Sequence, residues 1–139
     1  MTIIGFNFKR FDAEKKEHQG GNIKVDNNIN IKSVEEFEVN LGKGAQKALK
    51  FNFEFSSTFQ PDIGRIIIAG EVIDLEDEKK VKEIVEAWKK KEKLDEKVME
   101  PVMTYILNKS NIQALLIAKD LNLPSPVPLP RIRKLPKTK

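Results

Sequence analysis

Apolar and polar residues alternate along the first half of the chain, and a period of two is the mark of strands with one buried face. Ile4, Phe6 and Phe8 share one face of a first strand, with Gly5, Asn7 and Lys9 on the other. His18-Gln19-Gly20-Gly21 then reads as a hairpin-like break. Ile23, Val25, Ile29 and Ile31 alternate with Lys24, Asp26, Asn28, Asn30 and Lys32. After an irregularity near Ser33 to Glu36, the odd positions Phe37, Val39 and Leu41 continue, so one long bent strand or two strands are expected. Beyond the turn signal Gly42-Lys43-Gly44, Leu49, Phe51, Phe53 and Phe55 alternate with Lys50, Asn52, Glu54 and Ser56 in the cleanest strand of the chain. Pro61-Asp62-Ile63-Gly64 is a further turn. Residues 65–74 (RIIIAGEVID) are apolar at both parities, which predicts a central strand covered on both sides, and Gly70 within it predicts a bulge or a close backbone approach. Connections this short make the sheet antiparallel.

At Asp74 the period changes. Val81, Ile84, Val85 and Trp88 fall at i, i+3, i+4 and i+7 behind the acidic cluster Asp74, Glu76, Asp77 and Glu78, where negative charge suits a helix N-terminus. Lys89 to Lys97 is charge-dense and reads as a solvated helix face or loop. A longer helix is expected to start between Asp95 and Pro101, with the proline in its first turn or at a kink, and to run to about Leu121. Its apolar residues, from Val98 and Met99 to Ile117 and Leu121, cover more than one face, and that surplus predicts a second subunit against it. Prolines at 124, 126, 128 and 130 hold the chain's last part extended. Such a segment could serve as a proline-rich ligand for an aromatic groove, but leucines and valine fill its gaps. We therefore expect a strap laying Leu121, Leu123, Val127, Leu129 and Ile132 on the domain's own surface.

Composition narrows the function classes. The 139 residues suit one domain, with 1–132 folded and 133–139 a basic, flexible tail. The absence of Cys removes disulfides, thiolate metal sites and Cys nucleophiles, and favours the cytoplasm. The single His18 cannot supply a triad or a His-rich metal cluster, so no metal, no cofactor and no enzyme are expected. No apolar run is long enough to span a membrane, and the start resembles no signal peptide. The net charge of +4 resides in residues 131–139, which leave 20 basic against 21 acidic residues elsewhere, so nucleic acid is an unlikely partner.

In this order of features the chain resembles the SecB-like fold of the SecB export chaperone and its archaeal relatives. The residues that carry the resemblance are the strands 49–55 and 66–72, Met99-Glu100-Pro101-Val102-Met103 opening a helix, and the stretch from Ala118 to Pro130. The resemblance implies an α+β fold: an antiparallel four-stranded sheet, then helices, then a proline-rich C-terminal strap. It also implies a chaperone-like binder of unfolded or non-native polypeptides, which the absence of a GxxxxGK(S/T) loop makes ATP-independent and the apolar surplus of 98–121 makes a dimer or tetramer. Binding varied clients needs adaptable apolar surface, for which Met and aromatic residues are suited. Phe51, Phe53, Phe55, Phe59, Trp88, Met99, Met103 and Tyr105 are the candidate groove lining, each of which could equally serve as packed core. The export chaperone is strongly acidic and docks its motor through acidic residues. This neutral body with a basic tail does not carry that property over. The alternatives are a nucleic-acid or ribosome-associated adaptor using the tail, or a structural interaction module without chaperone activity.

Overall fold

A computed structural model of the chain describes residues 2–17, 21–42 and 44–128. Four strands precede two helices: β1 (Thr2–Lys15), β2 (Lys24–Asn40), β3 (Ala45–Gln60), β4 (Gly64–Leu75), α1 (Glu78–Lys89) and α2 (Glu96–Asp120). The strands form one antiparallel sheet in the order β1-β4-β3-β2, so the α+β class expected from the pattern is the one observed. The expected hairpin between the first two strands is not. β1 and β2 lie at opposite edges, and Lys16, just past the end of β1, meets the β3–β4 turn. There the Lys16 backbone N–H donates to the Ile63 carbonyl at 2.6 Å, and the Lys16 ammonium meets the Asp62 carboxylate at 3.0 Å. Alternation predicts that strands exist, whereas their order depends on which neighbour each one buries its face with.

Bulges correct the face assignments. A register shift between Ile3 and Gly5 leaves Ile4 exposed while Phe6 and Phe8 keep the helix-facing side. A second shift after Phe8 brings Phe11 and Ala13 to that same side, opposite Ile68 and Ile66. In β2 the shift between Ile31 and Ser33 moves the buried parity to Val34, so the strand is single and bent. Phe37 consequently lies on the outer face under the Lys50 ammonium, 5.4 Å from its ring centroid, and Leu41 is exposed. One extra residue flips every side chain beyond it, which strict alternation cannot anticipate. β4 is central as expected, but both helices pack on one face, and among the described residues nothing covers the other.

The helices close the core over β3. Asp77 caps α1 by accepting from the Lys80 N–H at 2.7 Å, and Asp95 caps α2 by accepting from the Lys97 N–H at 3.0 Å. The Lys80 ammonium also pairs with the Asp95 carboxylate, tying the first turn of α1 to the start of α2. The charge-dense stretch before Asp95 is thus the end of α1 and a loop, with Lys91 left-handed at φ 58°. Pro101 falls in the second turn of α2, and the helix continues through it. α1 sets Val81 and Ile84 on Val34, Leu49 and Phe51, together with Val98, Val102 and Ile106 of α2. The C-terminal half of α2 sets Ala114 and Ala118 on Phe55, Phe59, Ile66 and Ile68. Leu123 joins that second cluster and the Pro126 side chain is buried, so the strap rests on its own domain, while Leu129, Ile132 and the tail 133–139 lie outside the described residues.

Gly70 answers to the close approach predicted for it. It pairs with Phe8 on one side and Phe53 on the other, and a Cβ there would stand 2.5 Å from the Asn7 carbonyl and 2.8 Å from Phe53 Cζ. The missing side chain leaves the gap through which the Phe53 ring reaches across β4 and stacks on Phe6, with centroids 5.5 Å apart. Gly70→Ala forces backbone or a packed ring to move, and should cost about 2–3 kcal/mol in a denaturant titration. A loss below about 0.5 kcal/mol, the range of surface changes, would contradict the fit.

Asp74, near the end of β4, is buried on the helix side opposite Leu49 and Ile3. Burial, then the neighbouring Glu76 carboxyl, pushes its pKa up to about 7. The folded state therefore holds a proton that the unfolded chain, titrating near 3.8, has released, so stability falls as pH rises through the window from about 4 to about 7. This group should therefore make the wild type less stable at pH 8 than at pH 5. Asp74→Asn should abolish that difference in urea titrations at the two pH values, and equal slopes for both proteins would refute the assignment.

Candidate functional site

Four β3 phenylalanines build the base of the site. Phe51, Phe53, Phe55 and Phe59 all point to the helix side, because β3 alternates without a bulge, and all are fully buried. From this base an aromatic ladder rises onto the β1 edge. Phe6 stacks on Phe53, Tyr105 of α2 stands edge-on to Phe6 at 5.4 Å, Phe8 is edge-on to Phe6 at 4.9 Å, and Phe11 follows Phe8 at 5.3 Å. Burial decreases along the ladder, from Phe53 at 1% exposure to Phe11 at 48%. β1 is an edge strand, and α2 packs over β4 and β3, which leaves the β1 rings at the margin of the helix layer. Leu107, Ile112 and Leu116, at 40–62% exposure, add apolar surface on α2 itself.

The structure divides the sequence-derived candidates into groups. Phe51, Phe53, Phe55 and Phe59 are core, with no surface to offer while the helices stay seated. Trp88 and Met99 are half-buried against the first cluster, Trp88 at the end of α1 beside Leu94. Tyr105 belongs to the ladder, and Met103, also half-buried, sits one helical turn before Leu107. The sequence reading missed Phe6, Phe8 and Phe11 as surface. The period of Phe6 and Phe8 predicts packed strand residues, and the bulge before Phe11 hides it from that period. An apolar ring on an edge strand, next to Lys9 and Arg10, was the available signal.

The outer face of the sheet has a different character. Glu71 lies between Lys9 at 2.9 Å and Lys50 at 3.5 Å, and the Lys9 hydrogen bond, with the charge of Lys50, holds its carboxyl below the usual range. Glu54 lies between Arg10 and Lys32, and Arg65 between Asp12 and Glu14. The Asn52 amide donates to Ser33 Oγ at 2.7 Å. Acids here are matched by bases within the sheet, so this face presents no acidic field to a basic partner. Among the described residues no group of three or more His, Cys, Asp or Glu side chains is placed to hold a metal ion, and no helix is long and apolar enough to cross a membrane.

No protein-family profile matches the chain, and no curated protein matches it in sequence. Its fold does have a likeness among solved structures. It superposes on a SecB-like chaperone of Mycobacterium tuberculosis, solved in complex with a ChAD peptide from the HigA1 antitoxin, with a TM-score of 0.54 over 95% of this chain and 89% of that one. Sequence identity is 10%, so the likeness is one of architecture: the fold is SecB-like.

Proposed function

We propose that this protein binds unfolded or non-native polypeptides without ATP, in the manner of a chaperone, through the aromatic ladder on β1 and the neighbouring face of α2. The observation that carries the reading is the gradient of the ladder, from a fixed ring in the core to a half-exposed ring at the sheet edge. Isolated surface rings are common, but a connected row continuous with the core gives a client an apolar track whose base does not deform. The mycobacterial protein with this architecture was solved holding a peptide, which supports the same use here. No chemical step is assigned, and the candidate lining is Phe6, Phe8, Phe11 and Tyr105 above the β3 base. The paired charges of the outer face give no support to docking an export motor.

The test is suppression of aggregation of an unrelated unfolded protein, without nucleotide, at low and high salt. Apolar burial is not screened as charge pairing is, so the effect should persist at 1 M salt, where the Debye length is about 3 Å. Phe11→Ser should weaken it several-fold with the melting temperature nearly unchanged, whereas Phe55→Ser in the core should cost about 3–5 kcal/mol of stability. A wild type that holds no client, or that binds only RNA at low salt through its basic end, would contradict the reading.

Ile112 and Leu116, exposed and four residues apart on α2, make too apolar a helix face for an isolated chain, and we assign them to contact with a second copy in a dimer or tetramer. Light scattering should give at least a dimer at tens of micromolar, roughly where a moderate interface holds. Leu116→Lys should shift it toward monomer. A wild-type monomer at that concentration would overturn the assignment.

A further inference from the structure

The C-terminal half of α2 lies over the middle of the sheet with an apolar flank on each side. On the β1 flank, Phe8 and Phe11 are left at the surface. On the β2 flank, Ile23, Val25 and Ile29 pack against the cluster of Phe55, Phe59 and Ile66, and here the chain supplies its own cover. The strap leaves α2 through a cap in which the Leu123 N–H donates to the Ala118 carbonyl at 2.8 Å, with Asn122 left-handed at φ 55°. Leu123 then buries itself beside Gly64, where a Cβ would stand 3.1 Å from Leu123 Cδ2. Beyond Leu123 the hold is slight. Among the described residues one hydrogen bond joins this stretch to the sheet, from the Asn27 side-chain amide to the Pro126 carbonyl at 2.7 Å. Asn27 is itself oriented, because its amide oxygen accepts from Ser57 Oγ at 2.5 Å and Ser57 is fully buried. The other bonds of the stretch are internal, between Ser125 and Val127.

This seat recognises no side-chain chemistry particular to the strap. An oriented amide that donates to a backbone carbonyl serves any extended segment, since every residue offers one. The apolar floor needs only small hydrophobic or proline side chains above it. An open cleft of about 780 Å³, lined by Val25, Asn27 and Pro124 to Pro128, runs alongside. Prolines at 124, 126 and 128 hold the strap extended and withhold backbone donors, so it occupies the seat without building a ladder on the sheet. We propose that the strap from Pro124 to Pro128 is a tethered stand-in for client, and that the Val25–Asn27 seat beneath it is a second binding site for extended apolar polypeptide, opened when the strap lifts. This rests on the polypeptide-binding function proposed above. The tether keeps the strap at high local concentration, so it masks the seat at rest and a client must displace it.

The experiment measures the affinity of a permanently unfolded probe, reduced and carboxymethylated α-lactalbumin, by fluorescence anisotropy with full-length proteins. Pro126→Asp sets a charge where the strap is buried, while the seat and the Leu123 anchor stay intact; Pro126→Gly is the milder variant should the first fold poorly. If the strap is seated about nine-tenths of the time, its release should tighten probe binding up to about tenfold. Adding Asn27→Asp, which still accepts from Ser57 but cannot donate to a carbonyl, should remove most of that gain, a result that loosening of the fold would not produce. A wild type that binds weakly beside a released variant that binds more tightly supports both the seat and the function. If the wild type binds and release leaves its affinity unchanged or weaker, the strap is plain structure and the proposal fails while the function stands. If neither protein binds the probe, both fail.

Discussion

Phe53 lies with its ring over Gly70, at a place where a methyl group would already be in collision with it. Much of the arrangement depends on that contact. Because β4 carries no side chain there, a ring anchored in β3 can cross the strand and stack on Phe6, and the buried row of β3 is joined to the rings of the β1 edge. Without the gap, β4 would separate the core from the edge, and Phe6, Phe8 and Phe11 would be scattered surface rings. With it, each ring in the row is held by its neighbour, from Phe53 at the base to Phe11 in solvent. Packed interiors resist deformation, so a surface row continuous with the core has a firm base and a pliable rim.

The same sheet shows how far a pattern of apolar and polar residues carries. Strand β3 was legible in full because it has no bulge and its phenylalanines keep one parity from Phe51 to Phe59. Both helices and the strap were legible too, from the change of period at Asp74 and from the spaced prolines. Strand order was not, since β1 and β2 have equally good apolar faces and nothing local tells which of them lies beside β4. Bulges at Ile4 and Lys9 were hidden for a related reason, because each is stabilised by its partner strand, whereas the one at Lys32 showed as the break in alternation near Ser33. For the site, the reading located the aromatic mass but not its depth. Phe51 to Phe59 are the base and the β1 rings are the surface, a distinction that depends on which strand is central.

Two faces of one sheet are thereby given different work. The outer face carries Glu71, Glu54 and Arg65, each held between opposite charges, beside the half-buried Ile67, Ile73 and Phe37. The helix side is closed by packing in its middle and differs at its flanks, with bare rings beside β1 and a lightly held strap beside β2. Both flanks border the C-terminal half of α2, and a client long enough to use both must pass over or around that helix.

Because the account assigns one role to each ring, the rings themselves are the most direct probe. The chain has eight phenylalanines, and fluorine NMR of protein labelled throughout with fluorophenylalanine reports on all of them at once. On adding an unfolded apolar polypeptide, the account predicts that the Phe11 and Phe8 resonances shift or broaden most and Phe6 less. Phe51, Phe55 and Phe59 in the core and Phe37 on the outer face should stay in place. Movement of Phe37 with Phe8 and Phe11 unchanged would put the client on the other side of the sheet and contradict the account.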